Sequence, residues 1–163
     1  MKYQVALSAP YPNVENVRKN PMDAKKLMNS YGGRNSETGA ILTYAYQSYV
    51  VKKEHPELAS MLEQVAVVEM KHHELLGAAI YSLGGLPVIA GRNAYFSAAG
   101  LDYSVRAEEF LVRNVREEEA AIREYEALEK TLATPEIREL VKRIVDDELL
   151  HVKLFSETLA KMH

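Results

Sequence analysis

The sequence predicts an all-α protein, in which a short helix precedes a bundle of four long helices. Two observations predict this class. In four long stretches, apolar residues recur at intervals of three and four, the period of a helix with one buried face. Asparagine, proline and glycine stand where stretches begin or end, as they do at helix boundaries. We expect one domain over residues 1–163, with an N-terminal arm and the short helix in residues 1–35 and the bundle in residues 36–163.

The elements follow in chain order. The N-terminal arm (residues 1–20) shows no steady period, and we expect it to lie on the surface. Asn20-Pro21 starts the short helix, and Gly32-Gly33 ends it. The long helices are predicted over residues 36–54, 56–83, 104–132 and 134 to near the C-terminus. The connection of residues 84–104 is long enough to run from one end of the bundle to the other, so that the second and third long helices lie parallel.

The fourth long helix carries a Glu-x-x-His motif. Glu148 and His151 are three residues apart and share a face that is otherwise apolar. Burying a carboxylate there is costly unless a positive charge pairs with it. A metal ion would do so, with the neutral imidazole as a second ligand. For one such motif alone, the simpler interpretation is an acid and an imidazole that reach solvent.

The motif is repeated at Glu69 and His72 in the second long helix, again on an apolar face. A Glu-x-x-His on each of two helices, with a single Glu from each of the other two, is the ligand set of dimetal carboxylate bundles. Glu37, at the start of the first long helix, supplies one single acid. An acid in a first helical turn is also favoured by the helix dipole alone.

Periodicity selects the second single acid from three successive glutamates in the third long helix. Glu118 continues the apolar stripe of Leu111 and Ile122. Glu119 lies about 100° further round the helix and is expected at the solvated surface. Glu118 is therefore the predicted ligand.

The chain contains a weak two-fold repeat, because each half has a single Glu followed by a Glu-x-x-His. The single Glu precedes the Glu of the motif by 32 residues in the first half and by 30 in the second. If each half is an antiparallel helix hairpin, these similar separations place the acids of both hairpins at the same level along the bundle axis. We therefore predict two metal ions per chain, iron or manganese, and catalysis through them. The six predicted ligands are Glu37, Glu69, His72, Glu118, Glu148 and His151.

Three neighbouring side chains have alternative interpretations. Tyr44 and Tyr125 lie on the same inward stripes as Glu37 and Glu118. Each is either a hydrogen-bond partner of a ligand carboxylate or a core tyrosine whose hydroxyl meets a carbonyl. His73 is rotated off its stripe, and we expect it at the surface or beside the site rather than as a ligand.

Composition narrows the classes of function. The sequence has no cysteine, which excludes disulfides, thiol catalysis and iron–sulfur or Cys-ligated metal centres. A net charge of −3 without a basic block argues against nucleic acid as a partner. No apolar run is long enough for a membrane span or a secretory signal, so we expect a cytoplasmic protein. The second long helix is apolar nearly all round, which predicts a homodimer or larger assembly.

Several runs carry a family resemblance. The stretch from Asn20-Pro21 to Ser36-Glu37 resembles the entry to the first bundle helix of manganese catalases and their spore-coat relatives. Glu37-Thr38-Gly39-Ala40 with Tyr44 also resembles the first helix of rubrerythrins. Asn114-Val115-Arg116-Glu117-Glu118 resembles the manganese-catalase third helix. Asp147-Glu148-Leu149-Leu150-His151 is closer to rubrerythrins and bacterioferritins. The chain thus resembles the ferritin-like superfamily, in its rubrerythrin and manganese-catalase region.

This resemblance implies a ferritin-like four-helix bundle that holds iron in preference to manganese. It also implies an oxidoreductase acting on hydrogen peroxide or dioxygen. Rubrerythrins proper carry a Cys-rich rubredoxin module that this sequence does not contain, so a peroxidase of this kind needs an external electron donor such as a rubredoxin. Manganese catalases are longer and usually lack the equivalent of Glu148. The alternatives are a manganese catalase that disproportionates peroxide, and a non-enzymatic iron-handling or coat protein.

Overall fold

The computed structural model describes residues 2–162, which form five α-helices joined by irregular segments. The helices are α1 (Pro21–Gly32), α2 (Glu37–Val51), α3 (Pro56–Ser82), α4 (Ala107–Glu129) and α5 (Pro135–Ala160). Both boundaries of each predicted helix lie within three residues of the observed boundaries. Within the described residues, β pairing is confined to an isolated bridge between Ala90 and Tyr95. The predicted all-α class is confirmed.

Local chemistry explains where the helices begin. Asn20 accepts a hydrogen bond from the backbone N–H of Asp23, and Ser36 accepts one from Gly39, so both act as N-caps. Proline occupies the first position of α1, α3 and α5, where it removes no intrahelical hydrogen bond. No helix in residues 2–162 is long and apolar enough to cross a membrane.

The contacts between α2 and α4 fix the direction of the four long helices. Tyr44 of α2 contacts Glu118 of α4, whereas Glu37, seven residues earlier, contacts Tyr125, seven residues later. These two helices are therefore antiparallel. Because the short turn after α2 reverses the chain into α3, helix α3 lies parallel to α4. The long connection between α3 and α4 is the crossover that the sequence predicted.

The bundle has two apolar cores, one toward each end. One is formed mainly by Leu27, Leu76, Ile80, Leu132, Ile137, Leu140, Val141 and Ile144. The other is formed mainly by Leu58, Met61, Leu62, Val65, Phe110, Leu111 and Phe155. The segments of α3, α4 and α5 that lie between these two groups in sequence carry the predicted ligands. A layer of buried ionisable side chains therefore separates the two cores.

The N-terminal arm is irregular and most of its residues are exposed or partly exposed, as predicted for a surface segment, but it also contacts both cores. Val14 is buried in the first core, and Tyr3 and Val5 pack against the second. Between these points the arm bonds to residues of both α3 and α5. It is held there because its backbone groups pair with buried polar side chains, which a residue pattern does not reveal.

Candidate metal centre

All six predicted ligands converge in the layer between the two cores. They come from four helices, and each is at most 4% exposed. Glu37 and Glu118 enter from α2 and α4, while the two Glu-x-x-His pairs enter from α3 and α5. Glu119, the neighbour rejected on periodicity, is exposed, and Glu118 faces inward as predicted.

The six side chains form two overlapping groups, each of which could hold a metal ion. The His72 half-site consists of Glu37, Glu69, His72 and Glu148, and the His151 half-site of Glu69, Glu118, Glu148 and His151. Within each group the ligand atoms lie within 4.8 Å of one another. Glu69 and Glu148 belong to both groups, whereas Glu37 and Glu118 each belong to one.

The shared carboxylates straddle the two half-sites with separate oxygens. Glu69 places Oε2 3.2 Å from His72 Nδ1 and Oε1 3.0 Å from His151 Nδ1. Glu148 places Oε1 3.3 Å from His72 Nδ1 and Oε2 2.9 Å from His151 Nδ1. Two carboxylates that span two imidazoles in this way have the arrangement of bridging ligands. Both rings present Nδ1 to the cluster.

The titration behaviour of the cluster reflects a shortage of positive charge. Burial, and then the charge of Glu69, raises the pKa of Glu37 well above its ordinary value; burial and Glu148 do the same to the pKa of Glu118. Burial alone would lower the pKa of His151, but the charge of Glu69 and the other carboxylates raises it well above its ordinary value. Burial would raise the pKa of Glu69 and Glu148 as well, but His151 and His72 lower both. Protons are therefore favoured on Glu37, Glu118 and the imidazoles, while the two shared acids stay charged.

One buried oxygen lacks the partner that a cation would provide. Glu69 Oε1 is buried and receives no directed hydrogen bond: His151 Nδ1 lies 3.0 Å away, but that nitrogen directs its bond to Glu148 Oε2. A buried carboxylate oxygen left in this way is unfavourable. The orphaned oxygen, the four acids and the two imidazoles suit a dimetal site of oxygen and nitrogen ligands.

Tyr44 and Tyr125 contact the carboxylates, which decides between their two interpretations. Each donates a hydrogen bond across the bundle to the single acid of the other hairpin, Tyr44 to Glu118 Oε1 and Tyr125 to Glu37 Oε1. Burial, followed by the charge of the acid it contacts, raises the pKa of each phenol well above 10.0, so both remain donors at neutral pH. His73 is half-buried, stacks on Tyr31 and lies outside both groups.

Sequence reasoning missed a set of groups behind the histidines. Asp147 is fully buried, and its Oδ2 lies 3.2 Å from His72 Nε2. Arg143, one turn earlier in α5, lies 2.7 Å from Asp147 Oδ1. Burial alone would raise the pKa of Asp147, but bonds from His72, Tyr11, Arg143 and the N–H of Leu7 lower it to about 2. The i, i+4 spacing of Arg143 and Asp147 was the available signal.

A cavity of about 160 Å³ opens onto the cluster between α2 and α4. Its wall includes all four cluster carboxylates and neither histidine. The crossover contributes Gly100, Leu101 and Asp102 to the wall. Solvent therefore approaches the cluster from its carboxylate side.

Comparison with known proteins assigns the family. A sequence model of the rubrerythrin family matches residues 33–159, which is most of the chain and includes all six predicted ligands. The chain belongs to the rubrerythrin family. No curated protein sequence matches it significantly.

Two solved structures share the fold of this rubrerythrin-family chain. The manganese catalase KatB from Anabaena PCC7120 aligns with a TM-score of 0.86 at 23% identity, over 99% of this chain and 81% of that one. The bacterioferritin from Desulfovibrio desulfuricans aligns with a TM-score of 0.70 at 24% identity, over 86% of this chain and 82% of that one. The ferritin-like four-helix bundle implied by the sequence resemblance is confirmed.

Proposed function

We propose that Glu37, Glu69, His72, Glu118, Glu148 and His151 are the ligands of two metal ions, and that iron is the working metal. Four helices bring these side chains together with little exposure to solvent. Glu69 and Glu148 would be shared by the two ions, and Glu37 and Glu118 would each hold one of them. Buried carboxylates of the same sign repel one another, and this repulsion is relieved when cations are bound.

The reaction is the reduction of hydrogen peroxide to two water molecules, with two protons from solvent and two electrons from an external donor such as a rubredoxin. Two redox-active ions held side by side supply the two electrons that cleavage of one O–O bond requires. The observation that carries this proposal is the buried Glu148, which is the fourth carboxylate of the cluster and, with Glu69, one of the two shared by both half-sites. Its negative charge would stabilise bound metals in their oxidised state, which would disfavour re-reduction by a second peroxide molecule.

The surrounding residues prepare the site for a small polar substrate. The cavity between α2 and α4 admits a molecule of the size of peroxide to the carboxylate side. Tyr44 and Tyr125 hold Glu118 and Glu37 by hydrogen bonds, so that the single acids keep their orientation. The side of the histidines away from the cavity is covered by Asp147 and the N-terminal arm.

The decisive measurement is peroxide consumption by the iron-loaded protein without and then with a reductant. We expect about one peroxide to be consumed per reduced metal pair, after which the reaction stops because peroxide does not re-reduce the site. A separate one-electron donor should restart it. Sustained evolution of oxygen from peroxide alone would contradict this proposal.

Disproportionation of peroxide by a manganese pair is the second candidate. The run Asn114-Val115-Arg116-Glu117-Glu118 favours it, because this run resembles manganese catalases. Oxygen evolution that is faster with manganese than with iron would establish this function. Binding and oxidation of iron without peroxide consumption under either condition would instead identify a metal-handling protein.

A further inference from the structure

The N-terminal arm crosses the side of the metal centre opposite the cavity. It is anchored at its start by the N–H of Tyr3, which donates to Gln64 Oε1 of α3 at 2.9 Å. Further along, Ser82 at the end of α3 donates to the carbonyl of Glu15 at 3.0 Å. Between these anchors, residues 5–11 pass over the outward edges of both histidine rings.

Each histidine meets the arm differently. His151 Nε2 lies 2.8 Å from the carbonyl oxygen of Val5, so the arm backbone is its direct partner. His72 Nε2 bonds to Asp147. Asp147 in turn accepts the N–H of Leu7 at 2.7 Å and the hydroxyl of Tyr11 at 2.5 Å. The arm therefore contacts one histidine directly and orients the partner of the other.

The two-fold repeat explains why the bundle needs this segment. The residue before Glu148 is Asp147, which supplies the carboxylate behind His72. The corresponding residue before Glu69 is Val68, whose side chain offers no acceptor. The second histidine thus lacks a partner from the bundle itself, and the Val5 carbonyl takes that place.

Arg143 attaches the arm to α5. Its Nε and Nη2 donate to the carbonyls of Ala9 and Leu7 at 3.0 and 2.8 Å. The guanidinium carbon lies 4.4 Å from the centre of the Tyr11 ring, in a cation–π contact. One side chain thereby holds three arm residues against the helix that carries Glu148 and His151.

We propose that docking of residues 5–11 and binding of metal stabilise each other, so that the arm is a working part of the metal centre. This inference rests on the proposed metal site. A neutral imidazole that binds metal through Nδ1 carries its one proton on Nε2, where Val5 and Asp147 accept it. The docked arm therefore favours the metal-binding tautomer of both rings, and bound metal polarises the N–H groups that hold the arm. By linkage, each event strengthens the other by the same factor.

The first experiment measures amide hydrogen exchange of the full chain, without and with Mn²⁺ in anaerobic buffer. The amide of Leu7 should exchange at least about 10-fold more slowly when Mn²⁺ is bound. The amide of Gly91, which bonds within the crossover to the Ala94 carbonyl, serves as the reference and should change little. Equal exchange of Leu7 with and without Mn²⁺ would overturn the proposal.

The second experiment compares Mn²⁺ binding by the Arg143→Gln and Lys142→Gln variants. Both remove one positive charge from α5, but Lys142 is exposed and pairs with glutamates away from the arm. Arg143→Gln should weaken Mn²⁺ binding at least about 10-fold. By linkage, this factor should equal the factor by which Mn²⁺ slows amide exchange in the N-terminal arm, a slowing that the variant should lose. Lys142→Gln should bind as the unmodified chain does.

Tyr11→Phe keeps the ring under Arg143 and removes only the hydroxyl, so it serves if Arg143→Gln does not fold. It should weaken Mn²⁺ binding in the same direction. Unchanged affinity in a folded Arg143→Gln or Tyr11→Phe variant would overturn the proposal while leaving the metal site intact. If the unmodified chain binds no Mn²⁺ or Fe²⁺, the proposed function itself fails, and this inference fails with it.

Discussion

At the residue scale, the site depends on carboxylates that serve one or both half-sites. Glu118 contacts only the His151 half-site, whereas Glu148 places one oxygen beside each histidine. If these carboxylates bind two ions as proposed, loss of a shared acid and loss of an unshared acid have different consequences. This difference makes the two-ion arrangement testable one residue at a time.

Glu118→Gln should retain one metal ion per chain under conditions in which the unmodified protein binds two. Glu148→Gln should weaken both, because its oxygens belong to both half-sites. Glu119→Gln is the matched control on the same helix, and its exposed side chain should leave two ions bound. Metal analysis after gel filtration measures the ratio. If Glu119→Gln lost metal and Glu118→Gln did not, the ligand assignment would be wrong.

The crossed tyrosines give a second prediction at this scale. Tyr125→Phe removes the hydrogen bond to Glu37, and Tyr44→Phe the one to Glu118. Each should weaken metal binding by about 10- to 100-fold at the half-site whose acid it releases. Tyr46→Phe is the control, since its hydroxyl bonds to the Tyr103 carbonyl outside the cluster. Titration with Mn²⁺ followed by calorimetry would reveal the effect; equal affinities in all three variants would mean that these bonds do not orient the ligands.

At the element scale, a buried acid of α1, Asp23, links this helix to the start of α5. Asp23 Oδ2 accepts hydrogen bonds from the backbone N–H groups of Ala133 and Thr134, at the start of α5. Lys26 also donates to Asp23, from the next turn of α1. Burial alone would raise the pKa of Asp23, but the bonds from Lys26 and Thr134 lower it below 3.8. The charged carboxylate thus connects the first helix to the last.

Asp23→Asn should lower the free energy of unfolding by about 1–3 kcal/mol at neutral pH, because buried donors lose a charged acceptor. The folded-state pKa lies below the unfolded value, so the stabilising contribution is complete above about pH 4 and is lost as the pH falls toward the folded-state pKa. The difference between Asp23→Asn and the unmodified protein should therefore narrow below pH 3.8. Denaturant unfolding at several pH values measures it. Asp146→Asn, on the exposed side of α5, should show no difference; a constant gap for Asp23→Asn at every pH would contradict this account.

At the scale of the whole molecule, the outer face of the α2–α3 hairpin is unusually apolar. Val67 is 59% exposed and Met70 48% exposed on α3, and Tyr49 is 71% exposed on α2. An apolar face of this kind indicates a surface covered by another molecule. The homodimer or larger assembly predicted from the girth of α3 remains a prediction, and this face is where we expect it to form.

Val67→Arg should convert the assembly to monomers, because the charge would be buried in an apolar contact. Leu149→Arg makes the same kind of change at a 53% exposed position on α5, and it should leave the assembly intact. Analytical ultracentrifugation at micromolar concentration distinguishes the two. A monomeric unmodified protein would exclude the assembly. An assembly disrupted only by Leu149→Arg would show that the contact lies on another face.

The local residue pattern was sufficient to predict the helices and the convergence of the six side chains. The 3.6-residue period separated Glu118 from Glu119, and the similar separations within the two halves indicated acids at one depth. Both signals are carried by residue identity at fixed spacing along a regular helix. The parallel course of α3 and α4 followed from the length of the connection between them.

Other parts of the site depended on tertiary structure. The Val5 carbonyl belongs to an arm without a period, and a backbone oxygen is common to every residue, so nothing in the sequence singled it out. Gln47 and Asn114 exchange buried amide hydrogen bonds between α2 and α4, although neither type of residue indicates burial. The sequence by itself determined the helices and the chemistry that faces inward. Only the tertiary structure decided which groups bond to those inward-facing side chains. These contacts join segments far apart in sequence, and packing sets which segments meet.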